Sequence, residues 1–194
     1  MDNNILIFAS NNRHKAEEIL AVTGDQYKII TLKEAGIDID IPEPYNTIEA
    51  NASGKSKMIY QLTQQNCFGD DTGLEVEALN GEPGVKSARY AGDQKDFDAN
   101  IDKLLSKLDD KENRNAQFRT VISLMWNDKE YLFEGMVKGM IIYERRGANG
   151  FGYDPVFIPE GSYKTFGEMT LEEKNLFSHR KKAVDKLMEF LKQQ

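Results

Sequence analysis

The chain has 194 residues, 40% of them apolar, with ten Phe and eight Tyr; that is enough for a real core and excludes a disordered chain. Its formal net charge of −7 disfavours a nucleic-acid backbone as partner, because polyanion binding needs clustered excess Lys and Arg. A single cysteine, Cys67, excludes an internal disulfide and a thiolate metal cage, and suits a reducing cytoplasm. No run approaches the length of a membrane span, and Met1-Asp2-Asn3-Asn4 lacks the basic start of a secretion signal. A cytoplasmic protein folded as one domain over residues 1–194 is expected.

In chain order, Ile5 to Ala9 reads as a short buried strand. A polar turn, Ser10 to His14, leads into a helix with Ala16, Ile19, Leu20 and Val22 on one side, ending at Gly24. Tyr27 to Leu32 reads as a second strand, and Pro42 and Pro44 enforce an extended segment. Asn46 to Gln64 looks helical. Cys67-Phe68-Gly69 forms a short apolar stretch ending at the acidic pair Asp70-Asp71. Leu79 to Gly92 is rich in Gly and Pro and reads as loop. Ala99 to Leu108 is an amphipathic helix with Asp98 as a plausible N-cap. Phe118 to Trp126 and Tyr131 to Tyr143, separated by Asn127-Asp128-Lys129, read as an antiparallel hairpin. Arg145 to Gly152 is a Gly-rich loop, and Ala183 to Leu191 a closing amphipathic helix. Strands alternate with helices early and pair as a hairpin late, which predicts an α/β fold with a mixed sheet.

Five segments offer chemistry. Ser10-Asn11-Asn12-Arg13-His14-Lys15 stands at a helix start, where unpaired N–H groups, neutral side chains and Lys15 suit a polyphosphate; it also fits an ordinary capped turn with a solvated lysine. Gly54-Lys55-Ser56 fails as a P-loop, because Glu49 occupies the position where the first Gly belongs; Lys55 still shares a helix face with Asn51. The neighbours Asp70 and Asp71, followed by Thr72-Gly73, are costly to bring together without a cation, and suit Mg²⁺ and water activation, with Glu43 as a further oxygen. An acidic turn at a strand end is the bland alternative. In Gly147-Ala148-Asn149-Gly150-Phe151-Gly152-Tyr153-Asp154-Pro155 the glycines allow close backbone approach, Phe151 offers a stacking face and Asp154 an acceptor or brace; the alternative is a Gly-rich turn whose aromatics belong to the core. Lys174 with Ser178-His179-Arg180-Lys181-Lys182 is the densest basic cluster, fit for phosphate or an oxo-substituted base, or for a solvated helix start. No second His stands at ligand spacing to His179, so zinc has little support.

Taken together and in this order, the chain resembles the inosine triphosphate pyrophosphatase family, also called the dITP/XTP or noncanonical purine NTP pyrophosphatases. The stretches that carry it are Ser10-x-Asn12-x-x-Lys15, Asn51-Ala52-x-x-Lys55, Asp70-Asp71-Thr72-Gly73-Leu74, Pro83-Gly84-x-x-Ser87-Ala88-Arg89-Tyr90, Gly150 to Pro155, and Glu173-Lys174 with Ser178-His179-Arg180. The resemblance implies an elongated α/β fold with a central mixed sheet, flanking helices, two lobes and a substrate cleft between them, together with a homodimer and a Mg²⁺ requirement. It places the turn from Ser10 through Asn11, Asn12, Arg13 and His14 to Lys15 against the substrate, with Lys55 on the phosphate side. It makes Asp71 the acceptor of the water proton, with Asp70 and Lys55 beside it and Asp71 and Glu43 on the metal. It gives Thr72 a substrate contact, and Phe151, Gly152, Tyr153, Asp154, Lys174, His179 and Arg180 to the nucleobase. Two positions depart from the family pattern: Ala50 stands where a Glu is common, and Pro42 where many relatives carry an acid.

The reaction expected is attack of water at the α-phosphorus of dITP, ITP or XTP, cutting the α–β phosphoanhydride to release monophosphate and pyrophosphate and so cleanse the nucleotide pool. Donors from Lys174, His179 or Arg180 would match a 6-oxo group and leave adenine's amino group unmatched. A regulatory module that binds nucleotide without cutting it is the rival class. A Nudix-type hydrolase is disfavoured, since no Glu-rich Nudix helix is present.

Overall fold

A computed structural model describes residues 5–23 and 27–194; the Met1 to Asn4 start and the helix end expected at Gly24 lie outside them. The elements in order are β1 (Ile5–Phe8), α1 (Arg13–Leu20), β2 (Lys28–Thr31), α2 (Ile48–Thr63), β3 (Cys67–Val76), β4 (Pro83–Gly84), α3 (Phe97–Lys107), β5 (Asn115–Trp126), β6 (Lys129–Ile141), β7 (Phe157–Pro159), α4 (Leu171–Asn175) and α5 (His179–Leu191). The sheet runs β2-β1-β3-β5-β6-β7, with β4 added on β3. Strand β1 is parallel to β2 and β3, whereas β4 on β3 and β7 on β6 are antiparallel, so the fold is mixed α/β as expected. The parallel neighbours follow from the connections, since α1 and α2 supply the crossovers that parallel pairing requires.

The chain divides into two compact units. The first takes the residues up to Asp71, then Thr120–Gly135 and Arg180–Gln194; the second takes Thr72–Arg119 and Met136–His179. In the first, β1 is buried on both faces. Leu6 and Phe8 pack with Ala16, Ile19, Ile122 and Leu187, while Ile7 and Ala9 pack with Leu32, Ile59 and Cys67. Two buried faces explain why β1 reads as an unbroken apolar run rather than an alternation. The second unit is built around Phe118, Phe157 and Phe166, with Leu74, Ile101, Leu104 and Val137. There Arg114 is buried, and its guanidinium donates to the carbonyls of Leu108, Ile141 and Ile142 at 2.8, 2.8 and 3.2 Å.

Several expectations shift, each for a local reason. The acidic pair does not end its strand: β3 continues to Val76, so Asp70 and Asp71 lie within it. Asp96, not Asp98, caps α3 by accepting from the amide of Ala99, which starts that helix at Phe97. The hairpin turn contracts to Asn127-Asp128, both at positive φ (48° and 65°), the geometry that matches the twist of a two-residue hairpin. The loop from Leu79 to Gly92 contains β4 and a 3₁₀ turn at Ser87–Arg89. Helix α5 begins at His179, four residues earlier than its apolar stripe suggests. Strand β7 and helix α4 are too short for periodicity to find, though Thr170 and Glu173 form a capping box that marks α4.

Cys67 is wholly buried, its thiol donates to the carbonyl of Ser56 at 3.2 Å, and burial pushes its pKa up to about 12. Because the thiolate is the nucleophile, iodoacetamide at pH 8 should label the folded chain at least about 1,000-fold more slowly than the unfolded one. Labelling at the free-thiol rate under native conditions would contradict this packing. Above the ordinary thiol value of 9.0 and towards about 12, the unfolded chain releases a proton that the folded chain keeps, so stability should fall as pH rises through that window.

Candidate active site

Helix α1 starts where the sequence places it. The Ser10 hydroxyl accepts from the amide of Asn12 at 3.2 Å, and the Asn12 side chain caps the helix by accepting from the amide of Lys15 at 3.2 Å. This turn delivers Lys15 to β3, where its ammonium lies 3.0 Å from Asp70 Oδ1. The other polar residues of the turn point elsewhere. Asn11 donates to the carbonyl of Ile39, while Arg13 and half-exposed His14 both face Glu17.

Successive side chains of a strand alternate in direction, so Asp70 and Asp71 meet different partners. Fully buried Asp70 meets Lys15 and Arg180, whose Nε stands 3.4 Å from Asp70 Oδ2 and whose Nη1 pairs with buried Glu18. Asp71 faces α2. Lys55 reaches Asp71 Oδ1 at 3.3 Å and Glu43 Oε1 at 2.5 Å, and donates to the backbone carbonyl of Asp70 at 2.9 Å. Helix α2 can come this close because residue 69 is glycine: a Cβ there would stand 2.7 Å from Lys55 Cβ and 3.1 Å from Ala52 O.

Three cations, Lys15, Lys55 and Arg180, thus meet four carboxylates, Glu18, Glu43, Asp70 and Asp71, leaving one negative charge in excess if all are ionised. Burial alone would raise the Asp70 carboxyl; Lys15, Arg180 and Lys55 outweigh it and hold Asp70 below the usual carboxylate range. For Asp71 burial prevails: with the charges of Glu43 and Asp70 added, it lifts that carboxyl above the usual range against the pull of Lys55 and Lys15. Burial disfavours the Lys55 ammonium, but Asp71, Asp70 and Glu43 overcome it and keep the lysine charged. Two neighbouring carboxyls with opposite shifts divide the roles of fixed anion and proton acceptor.

The second unit holds the aromatic and basic candidates. Gly150 (φ +74°) brings the chain against Asp154, where a Cβ would stand 2.0 Å from Oδ2; that oxygen accepts from the amide of Phe151 at 2.9 Å. Lys174, almost wholly buried on α4, donates to the same oxygen at 2.6 Å, and its ammonium lies 5.3 Å from the centre of the Phe151 ring. Asp154 is therefore the brace anticipated from sequence. His179 stacks on Phe118 at 4.8 Å with only 10° between the planes, so its ring is held by the core. Buried Tyr153 donates to the carbonyl of Ser87 at 2.9 Å and belongs to that core, while Gly152 (φ +62°) keeps the turn open. Thr72 opens this unit, one peptide bond after Asp71.

With that geometry in hand, the likenesses are specific. The model of the Ham1 family matches residues 6–190. This chain belongs to the Ham1 family. It is 54% identical over 187 residues to a dITP/XTP pyrophosphatase of Flavobacterium psychrophilum, covering 96% of this chain and 98% of the other. It is 49% identical to a dITP/XTP pyrophosphatase of Porphyromonas gingivalis, covering 96% of each. Among solved structures, the Ham1 protein of Staphylococcus aureus superposes with a TM-score of 0.88 at 42% identity, over 97% of this chain and 98% of that one. The HAM1 protein of Coxiella burnetii gives 0.89 at 36% identity, over 98% and 99%.

In this Ham1-family chain, sequence reasoning missed three residues that shape the acidic cluster. Glu18 had a signal: it lies three residues after Lys15, on the face of α1 that carries Ile19, where a solvated acid would be out of place. Gly69 had none, because close approach of a helix is a tertiary fact. Asn51 stood in the Asn-Ala-x-x-Lys stretch without a role, yet it is buried and its amide donates to Asp71 Oδ2 at 3.4 Å. Arg180, expected at the base edge, has its guanidinium against Glu18 and Asp70.

Two results should follow. Arg180→Met leaves Asp70 and Glu18 buried without their common cation and should cost about 3–5 kcal/mol, read from denaturant unfolding; a change below 1 kcal/mol, on the order of an exposed pair, would contradict the assignment. In carboxyl-carbon NMR of the metal-free chain, Asp71 should titrate above Asp70. The sign for stability is opposite for the two. The contribution of Asp70 is present above the unfolded carboxyl value and lost as pH falls through its lowered value. That of Asp71 is present below the unfolded value and lost as pH rises through its raised one.

Proposed function

We propose that this chain hydrolyses noncanonical purine nucleoside triphosphates, dITP, ITP and XTP, to the monophosphate and pyrophosphate. The observation that carries the reading is the pair of adjacent buried carboxyls, one held ionised by Lys15 and Arg180 and the other pushed towards proton uptake, with Lys55 between it and Glu43. The names borne by the Flavobacterium and Porphyromonas relatives support the substrate class.

The groups of the first unit take the triphosphate. The oxygen of a water forms the new bond to the α-phosphorus, the bond to the bridging oxygen breaks, and pyrophosphate leaves; Asp71 accepts the water proton. Lys15 and Lys55 offset the charge that develops on the phosphate oxygens, and the start of α1 offers backbone N–H groups to the same oxygens. Asp70 stays anionic and holds Lys15 in place. Asp71 and Glu43 would hold Mg²⁺: both carboxylates reach the one ammonium of Lys55, at 3.3 and 2.5 Å, and Mg²⁺ commonly takes one or two carboxylates together with substrate phosphates. When bound, Mg²⁺ would polarise the phosphoryl group and make the attacking water more acidic.

The groups of the second unit take the base. Phe151 supplies a stacking face, and Lys174, fixed by Asp154, donates to a 6-oxo group. Adenine presents an amino group at that position, which leaves the ammonium unmatched and so selects against it. We place the enzyme in the cytoplasm as a homodimer; among the described residues no helix is long and apolar enough to cross a membrane.

A triphosphate panel with Mg²⁺, scored for released pyrophosphate, tests the reading. ITP, dITP and XTP should be turned over at least about 100-fold more efficiently than ATP, the margin expected when a buried donor loses its acceptor. Unchanged ITP, or release of free phosphate, would overturn the assignment. Asp71→Asn should keep nucleotide binding and lose about 10²–10⁴ in kcat.

A further inference from the structure

Glu43 belongs to a stretch, Ile41 to Tyr45, that lies in no helix or strand. Pro42 and Pro44 deprive that stretch of two N–H donors and hold Glu43 extended. What fixes it is the side chain of Asn51 on α2. The Asn51 Oδ1 accepts from the amide of Tyr45 at 3.0 Å, and its Nδ2 donates to the carbonyl of the same residue at 3.1 Å. One carboxamide thus engages both backbone groups of Tyr45, as a neighbouring strand would. The second Nδ2 proton points at Asp71 Oδ2, 3.4 Å away.

A second contact works on the same residue. The Tyr45 ring lies against α2 at Gly54, where a Cβ would stand 2.8 Å from Cε2. Two residues before this doubly seated tyrosine, the Glu43 carboxylate reaches Lys55 at 2.5 Å, and Asp71 reaches the same ammonium at 3.3 Å. Residues 51, 54 and 55 are successive points on one helix, so α2 supplies the anchor, the seat and the cation.

We propose that Asn51 is a positioning residue that sets the distance between the carboxylates of Glu43 and Asp71, and with it their joint affinity for a divalent cation. It holds Asp71 directly and Glu43 through Tyr45. Without the carboxamide, Tyr45 loses both hydrogen bonds that seat its backbone and Glu43 swings with the segment, while Asp71 stays in β3. The inference rests on the metal assignment made above.

The test is uptake of Mn²⁺ by the full chain without nucleotide, read by electron paramagnetic resonance, beside the Mg²⁺ dependence of pyrophosphate release from ITP. Asn51→Ala should weaken Mn²⁺ binding about 10–100-fold and raise the half-saturating Mg²⁺ in proportion, the usual scale for groups that orient metal ligands. At saturating Mg²⁺ its kcat should return to within a few-fold of the parent. If circular dichroism shows that Asn51→Ala does not fold, Gly54→Ala carries the test, since it displaces only the Tyr45 ring and should weaken Mn²⁺ several-fold. Parent-like Mn²⁺ affinity in the folded variant overturns the proposal, as does a parent chain that takes up no Mn²⁺. A parent chain that releases no pyrophosphate from ITP yet loses Mn²⁺ affinity with Asn51 would sink the reaction while leaving the clamp standing.

Discussion

The ammonium of Lys55 is the constraint on which the acidic cluster depends. It sits between Glu43 and Asp71, it is buried, and it donates to the backbone of Asp70 as well. An isolated charge at that depth would cost several kcal/mol, and each of the carboxylates around it would cost as much alone. They persist because each offsets the others, and the arrangement is therefore collective. The same balance separates the two aspartates: on one side of β3, Asp70 gains two cations and stays ionised; on the other, Asp71 must share one cation with Glu43 and is pushed towards its neutral form.

Much of this was legible in the sequence, and the parts that were not share a cause. The apolar run from Ile5, the capped turn to Lys15 and the Asp70-Asp71 pair could be read because each is local: period, cap and charge lie within a few residues. Asp154 could be read as an acceptor or a brace because it stands at the end of a glycine-rich loop. Glu18 left a trace in its place beside Ile19, but the roles of Arg180 and Asn51 could not be read, since their partners lie in other elements and a lone charged or amide residue on a helix looks solvated until tertiary packing buries it. Asp96 displaced Asp98 as the cap of α3 because two acids two residues apart satisfy the same rule, and only the backbone geometry decides between them.

The division of the chain also separates two kinds of chemistry. The buried charges come from β3, α1, α2 and the start of α5, all within the first unit, where Lys15, Lys55 and Arg180 are tied to carboxylates. The aromatic face and its lysine come from the second, where Lys174 is tied to Asp154 on a loop that Gly150 permits. Neither set shares a residue with the other, so a substitution at Phe151 or Lys174 removes none of the ion pairs that hold Asp70.

Gly69 carries an evolutionary consequence. The atom that a side chain there would strike is the Cβ of Lys55, which every residue type except glycine possesses. No ordinary replacement at position 55 would make room, and even glycine, which deletes the ammonium, would leave the backbone of Ala52 and Ser56 at 3.1 Å. Position 69 is therefore locked against drift: a lineage that gained any side chain there could keep its cluster only by moving the helix.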